Sequence, residues 1–186
     1  MGLTAMTATC STASGHRLLR ASNSRRGRRQ EAARQEVVEG HLNGHPAEAI
    51  RQTLQRLDKS KITISTICGD ISTIATQENL YDLWHDRAVF HFLTEASQRT
   101  VYIQNLKRSL KKGGVAIVAT FGPNGPDKCS GLNTLRYDAE TLQAELGNDF
   151  QILGSRIDYH QTPFETSQQF LYCWFRFLPT ITSTHL

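Results

Sequence analysis

The side chains best suited to chemistry stand in one run, Trp84-His85-Asp86-Arg87. An imidazole, with an ordinary pKa of about 6.5, can hydrogen-bond or move a proton near neutral pH. The flat indole of Trp84 can lie against a bound ligand, and Asp86 and Arg87 could bind a substrate. The alternative for these two residues is a structural ion pair, with each other or with neighbours. The run predicts a ligand site in which His85 and Asp86 are the candidate catalytic residues.

A second acidic group, Asp70, follows residues 61–68, an alternating β-branched stretch that predicts a strand. Ligands of open α/β sheets bind in the crevice beyond the carboxyl ends of the strands. Asp70 is therefore a candidate ligand-binding residue. The alternative is that Asp70 caps the turn that follows, because Asp is favoured at such positions.

The elements that must position these residues alternate between helix and strand from Pro46 onward. The last two predicted strands have no helix between them, so they should pair as an antiparallel hairpin. The pattern predicts an α/β fold with an open, mostly parallel, Rossmann-like sheet that ends in this hairpin. The predicted helices are 46–57, 95–111 and 138–146, and the predicted strands are 61–68, 80–84, 115–121, 150–158 and 168–178.

The charge divides the chain at about residue 45. Residues 1–45 hold seven Arg against three Glu, a net +4, whereas residues 46–186 hold fourteen basic and fourteen acidic residues. The basic charge thus belongs to the N-terminal segment and gives the folded part no basic face, so nucleic-acid binding is the weaker alternative. No apolar run approaches the roughly 18 residues of a membrane-spanning helix, so no membrane partner is expected.

Residues 1–45 are rich in Ser, Thr, Ala, Gly and Arg and show neither a helical nor a strand period. Three interpretations compete: a disordered tail, an organelle transit peptide and an out-of-frame reading of coding sequence, which we favour. We therefore expect a basic, disordered or aberrant segment at 1–45, a partial domain at 46–180 and a tail at 181–186.

Cysteine and histidine spacing predicts no metal site. The four cysteines stand 58, 61 and 44 residues apart and form no Cys-x-x-Cys pair. His41 and His45 are four residues apart, but two ligands without a third are a weak signal. Free cysteines fit a reducing compartment, so we expect a cytoplasmic protein.

Three segments, in this order and spacing, resemble the class I S-adenosylmethionine-dependent methyltransferases, in particular the thiopurine methyltransferase-like, small-molecule branch. The segments are Gly69-Asp70, the stretch from Tyr81 to Leu93, and Leu110-Lys111-Lys112-Gly113-Gly114 before a strand. The resemblance covers residues 46–178.

The resemblance implies methyl transfer from S-adenosylmethionine to a small-molecule acceptor. It assigns Asp70 to the adenine amino group and places Ile71, Trp84 and His85 beside the cofactor. His85 or Asp86 would activate the nucleophile. The substrate would meet Arg87, Phe121 and Tyr159, the last of which is expected in the loop between the final two strands.

The cofactor-binding part of the family pattern is missing from the sequence. No Gly-x-Gly turn occurs in residues 1–45, and Leu42-Asn43-Gly44-His45 stands where an acidic residue should end the second strand. We therefore expect a sheet that lacks the usual first strand and helix. A catalytically dead remnant of a methyltransferase is the alternative function.

Overall fold

The computed structural model describes the backbone of residues 4–10, 34–40 and 63–68, and backbone and side chains of residues 71, 76–162 and 165–180. Seven strands form one sheet, and two short strands pair separately. The sheet strands are β1 (Thr4–Cys10), β2 (Arg34–Gly40), β3 (Thr63–Cys68), β4 (Tyr81–Arg87), β5 (Leu110–Phe121), β8 (Phe150–Gln161) and β9 (Ser167–Phe177). The other elements are β6 (Lys128–Cys129), β7 (Leu132–Asn133), a 3-10 helix (Phe90–Phe92), α1 (Ala96–Ser109) and α2 (Ala139–Leu146).

The strand order is β3-β2-β1-β4-β5-β9-β8. The first five strands in this order are parallel, and β9 runs antiparallel to both β5 and β8. The predicted fold class, a mostly parallel α/β sheet ending in an antiparallel hairpin, is therefore confirmed.

The expectation that the first strand is missing is wrong. β1 lies in the centre of the sheet, where Thr7 is aligned with Val37 of β2 and with His85 of β4. Its sequence, TAMTATC, is small and weakly apolar, so pairing with two neighbours rather than side-chain pattern makes it a strand. The sheet thus crosses the boundary drawn at residue 45.

Several expectations fall outside the described residues. They are the helix predicted at 46–57, the family's helix between the first two strands, and most of the segment 1–45. The out-of-frame origin of that segment stays a hypothesis.

Helices α1 and α2 contribute to a single buried core with the face of the sheet they cover. The buried side chains of Tyr102 and Leu106 in α1 and of Leu142 and Leu146 in α2 belong to this core. Val101 of α1 is exposed and does not belong to this core. Asp138 caps α2, since its carboxylate accepts a hydrogen bond from the Thr141 backbone N–H at 2.8 Å. No helix within the described residues has the length and apolar character needed to cross a membrane.

A tight loop follows β5 at the carboxyl end of the sheet. The Gly125 N–H donates to the Gly122 carbonyl at 2.8 Å, and the Asn124 N–H donates to the Gln169 side-chain oxygen at 2.9 Å. A Cβ at Gly125 would lie 2.8 Å from the Phe121 Cβ and 2.9 Å from the Gln169 carbonyl oxygen. The loop therefore has no room for a side chain at this position.

Gly125→Ala should lower the free energy of unfolding by roughly 1–3 kcal/mol, because backbone atoms must move to admit the methyl group. The matched control is Asn124→Ala, at an exposed neighbouring residue, which should stay within about 0.5 kcal/mol of the original chain. Urea denaturation followed by circular dichroism measures both. Equal stability of the two variants would contradict the packing described for this loop.

Candidate functional site

The carboxyl ends of the parallel strands lie along one edge of the sheet, and the strand order reverses between β1 and β4. β2 and β3 follow β1 on one side of the sheet, and β4 and β5 lie on the other. Such a switch point between β1 and β4 opens a crevice that binds ligands in open α/β sheets. The last residue of β4 is Arg87, so the reactive run forms the carboxyl end of this strand.

The side chains of β4 alternate between the two faces of the sheet, which separates the reactive run. Trp84 and Asp86 are fully buried on the face covered by α1. The Trp84 indole N–H donates to the Tyr102 hydroxyl at 3.0 Å, and that hydroxyl donates to the Asp86 carboxylate at 2.6 Å. The Trp84 ring also packs edge-on against Tyr102, with 5.8 Å between ring centroids. Trp84 is thus a core residue and not part of a ligand-binding floor, which corrects that expectation.

Asp86 fixes the backbone of the segment that follows β4. Its carboxylate oxygens accept hydrogen bonds from the backbone N–H groups of Val89 at 3.0 Å and Phe90 at 3.2 Å. Burial raises the pKa of Asp86 to about 7, although the hydrogen bonds from Tyr102, Val89 and Phe90 act in the opposite direction. With no exposed surface, Asp86 cannot touch a substrate. The expectation of a catalytic Asp86 is corrected to a structural role.

His85 and Arg87 lie on the other face of β4, where both are half-buried. Burial lowers the pKa of His85, and the positive charge of Arg87 lowers it further. The imidazole is therefore neutral at pH 7 and able to accept a proton. Across the switch point, His85 is aligned with Thr7 of β1.

Arg87 is held by aromatic residues two strands away. Its Nε donates to the Tyr172 hydroxyl at 3.1 Å, and its guanidinium carbon lies 5.5 Å from the centroid of the Phe170 ring. The Phe170 ring contacts Phe121 edge-on at 4.9 Å between centroids. The structure thus brings together two predicted substrate-binding residues, Arg87 and Phe121, through two that the sequence did not indicate.

His91 is buried between Phe92, Phe121 and Phe170. Its Nδ1 accepts a hydrogen bond from the Phe121 N–H at 3.0 Å, and its ring stacks on the Phe121 ring at 4.2 Å. Burial lowers the pKa of His91 to about 3. The residue therefore stays neutral and fixes the end of β5 against the 3-10 helix.

Tyr159 does not join this cluster. It stands inside β8 and not in the expected loop, because β8 continues to Gln161. Arg156 is aligned with Tyr172, and Tyr159 is three residues further along the strand, so its side chain is on the sheet face opposite Arg87. The Tyr159 hydroxyl accepts a hydrogen bond from the Gln169 side chain at 3.0 Å. Its link to the site is through Gln169, which also holds the loop after β5.

Two of the residues assigned to the cofactor, Asp70 and Ile71, are not in β4. Asp70 lies outside the described residues. Ile71 is buried, and its carbonyl accepts a hydrogen bond from the Asn105 side chain at 3.1 Å. Glu39 was not among the predicted site residues. It is the last residue but one of β2 and is aligned with Thr9 of β1 and Cys68 of β3. The signal was the short apolar pair Val37-Val38 directly before an acidic residue.

Residues 24–118 match the protein family described as "Methyltransferase domain". The match begins well before residue 46, where the sequence resemblance was taken to start, and includes β2. No curated protein matches the sequence significantly. Among the described residues, no group of three or more His, Cys, Asp or Glu side chains could hold a metal ion.

Solved structures share the fold at low sequence identity. A SAM-dependent methyltransferase from Methanosarcina mazei has a TM-score of 0.56 at 14% identity, over 78% of this chain and 84% of that chain. The N-methyltransferase NodS from Bradyrhizobium japonicum WM9, in complex with S-adenosylhomocysteine, has a TM-score of 0.55 at 22% identity, over 77% and 66% of the two chains. The 1,6-didemethyltoxoflavin-N1-methyltransferase of Burkholderia thailandensis, with bound 1,6-didemethyltoxoflavin and S-adenosylhomocysteine, has a TM-score of 0.56 at 16% identity, over 79% and 62%.

The buried Asp86 should make the stability of the chain depend on pH. Its pKa is about 7 in the folded chain against an ordinary 3.8. Between about pH 4 and 7, the folded chain therefore retains a proton that the unfolded chain has lost. Raising the pH through this window should lower the free energy of unfolding, by an amount on the order of a few kcal/mol.

Asp86→Asn removes this titration and isolates the effect from that of other groups. The free energy of unfolding of the original chain should fall relative to that of Asp86→Asn from pH 4 to pH 7, and the gap should be constant from pH 8 to 9. Urea denaturation at each pH measures it. Parallel profiles for the two chains over pH 4–7 would show that the pKa of Asp86 is not raised.

Proposed function

The chain belongs to the methyltransferase-domain family, and from this premise we propose that it transfers a methyl group from S-adenosylmethionine to a small-molecule acceptor. The observation that carries the proposal is the switch point between β1 and β4, with an acidic residue at the carboxyl end of β2. Two proteins that share this fold, NodS and the didemethyltoxoflavin methyltransferase, hold S-adenosylhomocysteine, and the second also holds 1,6-didemethyltoxoflavin.

We assign the ribose end of the cofactor to the residues that end β2 and follow β1. An acidic residue ending the second strand is what this family uses for the ribose hydroxyls, and Glu39 occupies that place in β2. The sequence directly after β1 is Ser11-Thr12-Ala13-Ser14-Gly15, a run of small residues with one glycine. Small residues allow the backbone to approach a ligand closely, which is the task of the usual Gly-rich turn.

When bound, the cofactor supplies an electrophilic methyl group on its sulfonium sulfur. The chain has to align an acceptor with that group and receive a proton. We assign proton acceptance to His85, whose imidazole is neutral at pH 7 and stands at the carboxyl end of β4. Asp86 acts through the backbone by fixing where β4 ends.

We assign acceptor binding to the aromatic cluster around Arg87. The Phe170 ring lies 5.5 Å from the guanidinium and contacts the Phe121 ring, and the Tyr172 hydroxyl accepts the hydrogen bond from Nε. Both terminal nitrogens of an arginine can pair with a carboxylate in a two-point contact. The cluster therefore favours a planar acceptor that carries an anionic group.

The alternative is a chain that has the fold without affinity for the cofactor, and cofactor binding separates the two. Nucleic-acid binding through the Arg-rich segment has weaker support and would appear as steeply salt-dependent affinity. We propose the cytoplasm as the place of action, in keeping with the free thiols of Cys129 and Cys173.

Calorimetric titration with S-adenosylhomocysteine should show binding at micromolar strength. Glu39→Gln should weaken it by about tenfold or more, since a carboxylate contact to two hydroxyls is replaced by a weaker amide contact. Asp70→Ala should also weaken it. The control is Glu36→Gln in the same strand, three residues before the site, which should bind like the original chain. A folded chain that shows no binding would establish the remnant interpretation.

Arg87→Gln should raise KM for the acceptor by about tenfold while leaving the Kd for S-adenosylhomocysteine unchanged, because the guanidinium is assigned to the acceptor alone. The assay is transfer of labelled methyl groups to planar small molecules with and without a carboxylate. Arg176→Gln is the control, because Arg176 pairs with Val115 at the opposite end of the sheet. Equal turnover of anionic and neutral acceptors would remove Arg87 from acceptor recognition.

A further inference from the structure

Strand β8 forms the edge of the sheet and exposes apolar side chains along its length. Within the described sheet, its one neighbour is β9. Of its 12 residues, Ile152, Leu153, Ile157 and Tyr159 are 36%, 44%, 41% and 62% exposed. The backbone groups on the outer side of an edge strand are available to pair with another strand. A long edge with apolar side chains is therefore a candidate interface.

The charges on β8 are arranged so that the strand complements itself. Arg156 and Asp158 flank Ile157, and the distance between their charged groups, 3.9 Å, is that of a weak pair. Their side chains are 74% and 51% exposed, so little would be lost by changing partners. When two copies of such a strand meet antiparallel about Ile157, each Arg156 lies opposite the Asp158 of the other copy. Two like charges at these positions would repel.

We propose that two copies of this chain associate through β8, as an antiparallel pair centred on Ile157. The two seven-stranded sheets then form one continuous sheet. On one face, the Ile157 side chains meet at the two-fold axis, and Tyr159 of each copy covers Ser155 of the other. On the other face, two Arg156–Asp158 pairs form across the axis.

Arg156, Ile157 and Asp158 determine both the register of the pairing and which strand can pair with β8. A shift of one residue would place apolar side chains of one copy on the charged face of the other. A shift of two would place Arg156 opposite another Arg156, or Asp158 opposite another Asp158. An unrelated strand would not offer opposite charges at both flanking positions. Charges on an edge usually prevent pairing, but their opposite signs here permit it with a second copy.

The test is sedimentation velocity of the full chain over a wide concentration series. The original chain should show a concentration-dependent dimer. Arg156→Asp and Asp158→Arg should each weaken dimerisation by about tenfold or more, because every cross-axis pair becomes a like-charge pair. The double variant should regain the original dimer. Lys128→Asp, a charge reversal in β6, is the control and should leave the dimer unchanged.

Mixing the two single variants gives the decisive result. One variant carries two acids on β8 and the other two arginines, so a mixture should form a heterodimer stronger than either homodimer. Circular dichroism confirms folding of each, and Ile157→Lys, which places two ammonium groups on the axis, gives an independent variant. A chain that stays monomeric at every concentration, or a mixture without a heterodimer, would overturn the proposal.

Discussion

The position of the site depends on one buried carboxylate. The hydrogen bonds that Asp86 accepts from Val89 and Phe90 turn the chain out of β4 into the 3-10 helix, and that from Tyr102 fastens the turn to α1. Burial disfavours the charged form of the Asp86 carboxyl, whereas the three hydrogen-bond donors favour the charged form. The 3-10 helix in turn carries His91 onto the end of β5. The hydrogen bonds of Asp86 and His91 thus connect the end of β4 to the end of β5.

The sequence contained enough to predict the elements with strong local signals. The strand predicted at 115–121 and the final hairpin are both present in the structure. β1 escaped prediction because TAMTATC has neither apolar alternation nor bulk, and its hydrogen bonds come from β2 and β4. Propensity is a weak guide where two neighbouring strands decide the conformation.

The sequence indicated the end of β4, but it did not show which of the side chains there share a face of the sheet. Successive side chains of a strand point to opposite faces of the sheet, so four adjacent residues cannot all face one ligand. In β4, Trp84 and Asp86 point into the core, and His85 and Arg87 lie on the other face. The partners of Arg87 stand more than 80 residues away in sequence, with Tyr172 85 positions further on. No local pattern in one sequence indicates such a pair. Glu39 was overlooked for a related reason, because an acid becomes a strand-end residue only when the strand is known.

The central place of β1 has a consequence for how the chain is made. β1 contains the first residues of the sheet to be synthesised, yet one of its two partners is β4, and Ala5 is aligned with Leu83. The ribosome must therefore add nearly 80 further residues before that side of β1 can pair. Parallel pairing over such a separation closes a long loop, which is slow compared with local helix or hairpin formation. Until β4 has emerged, the edge of β1 that faces it has no partner strand, and an open strand edge of this kind can pair with another chain.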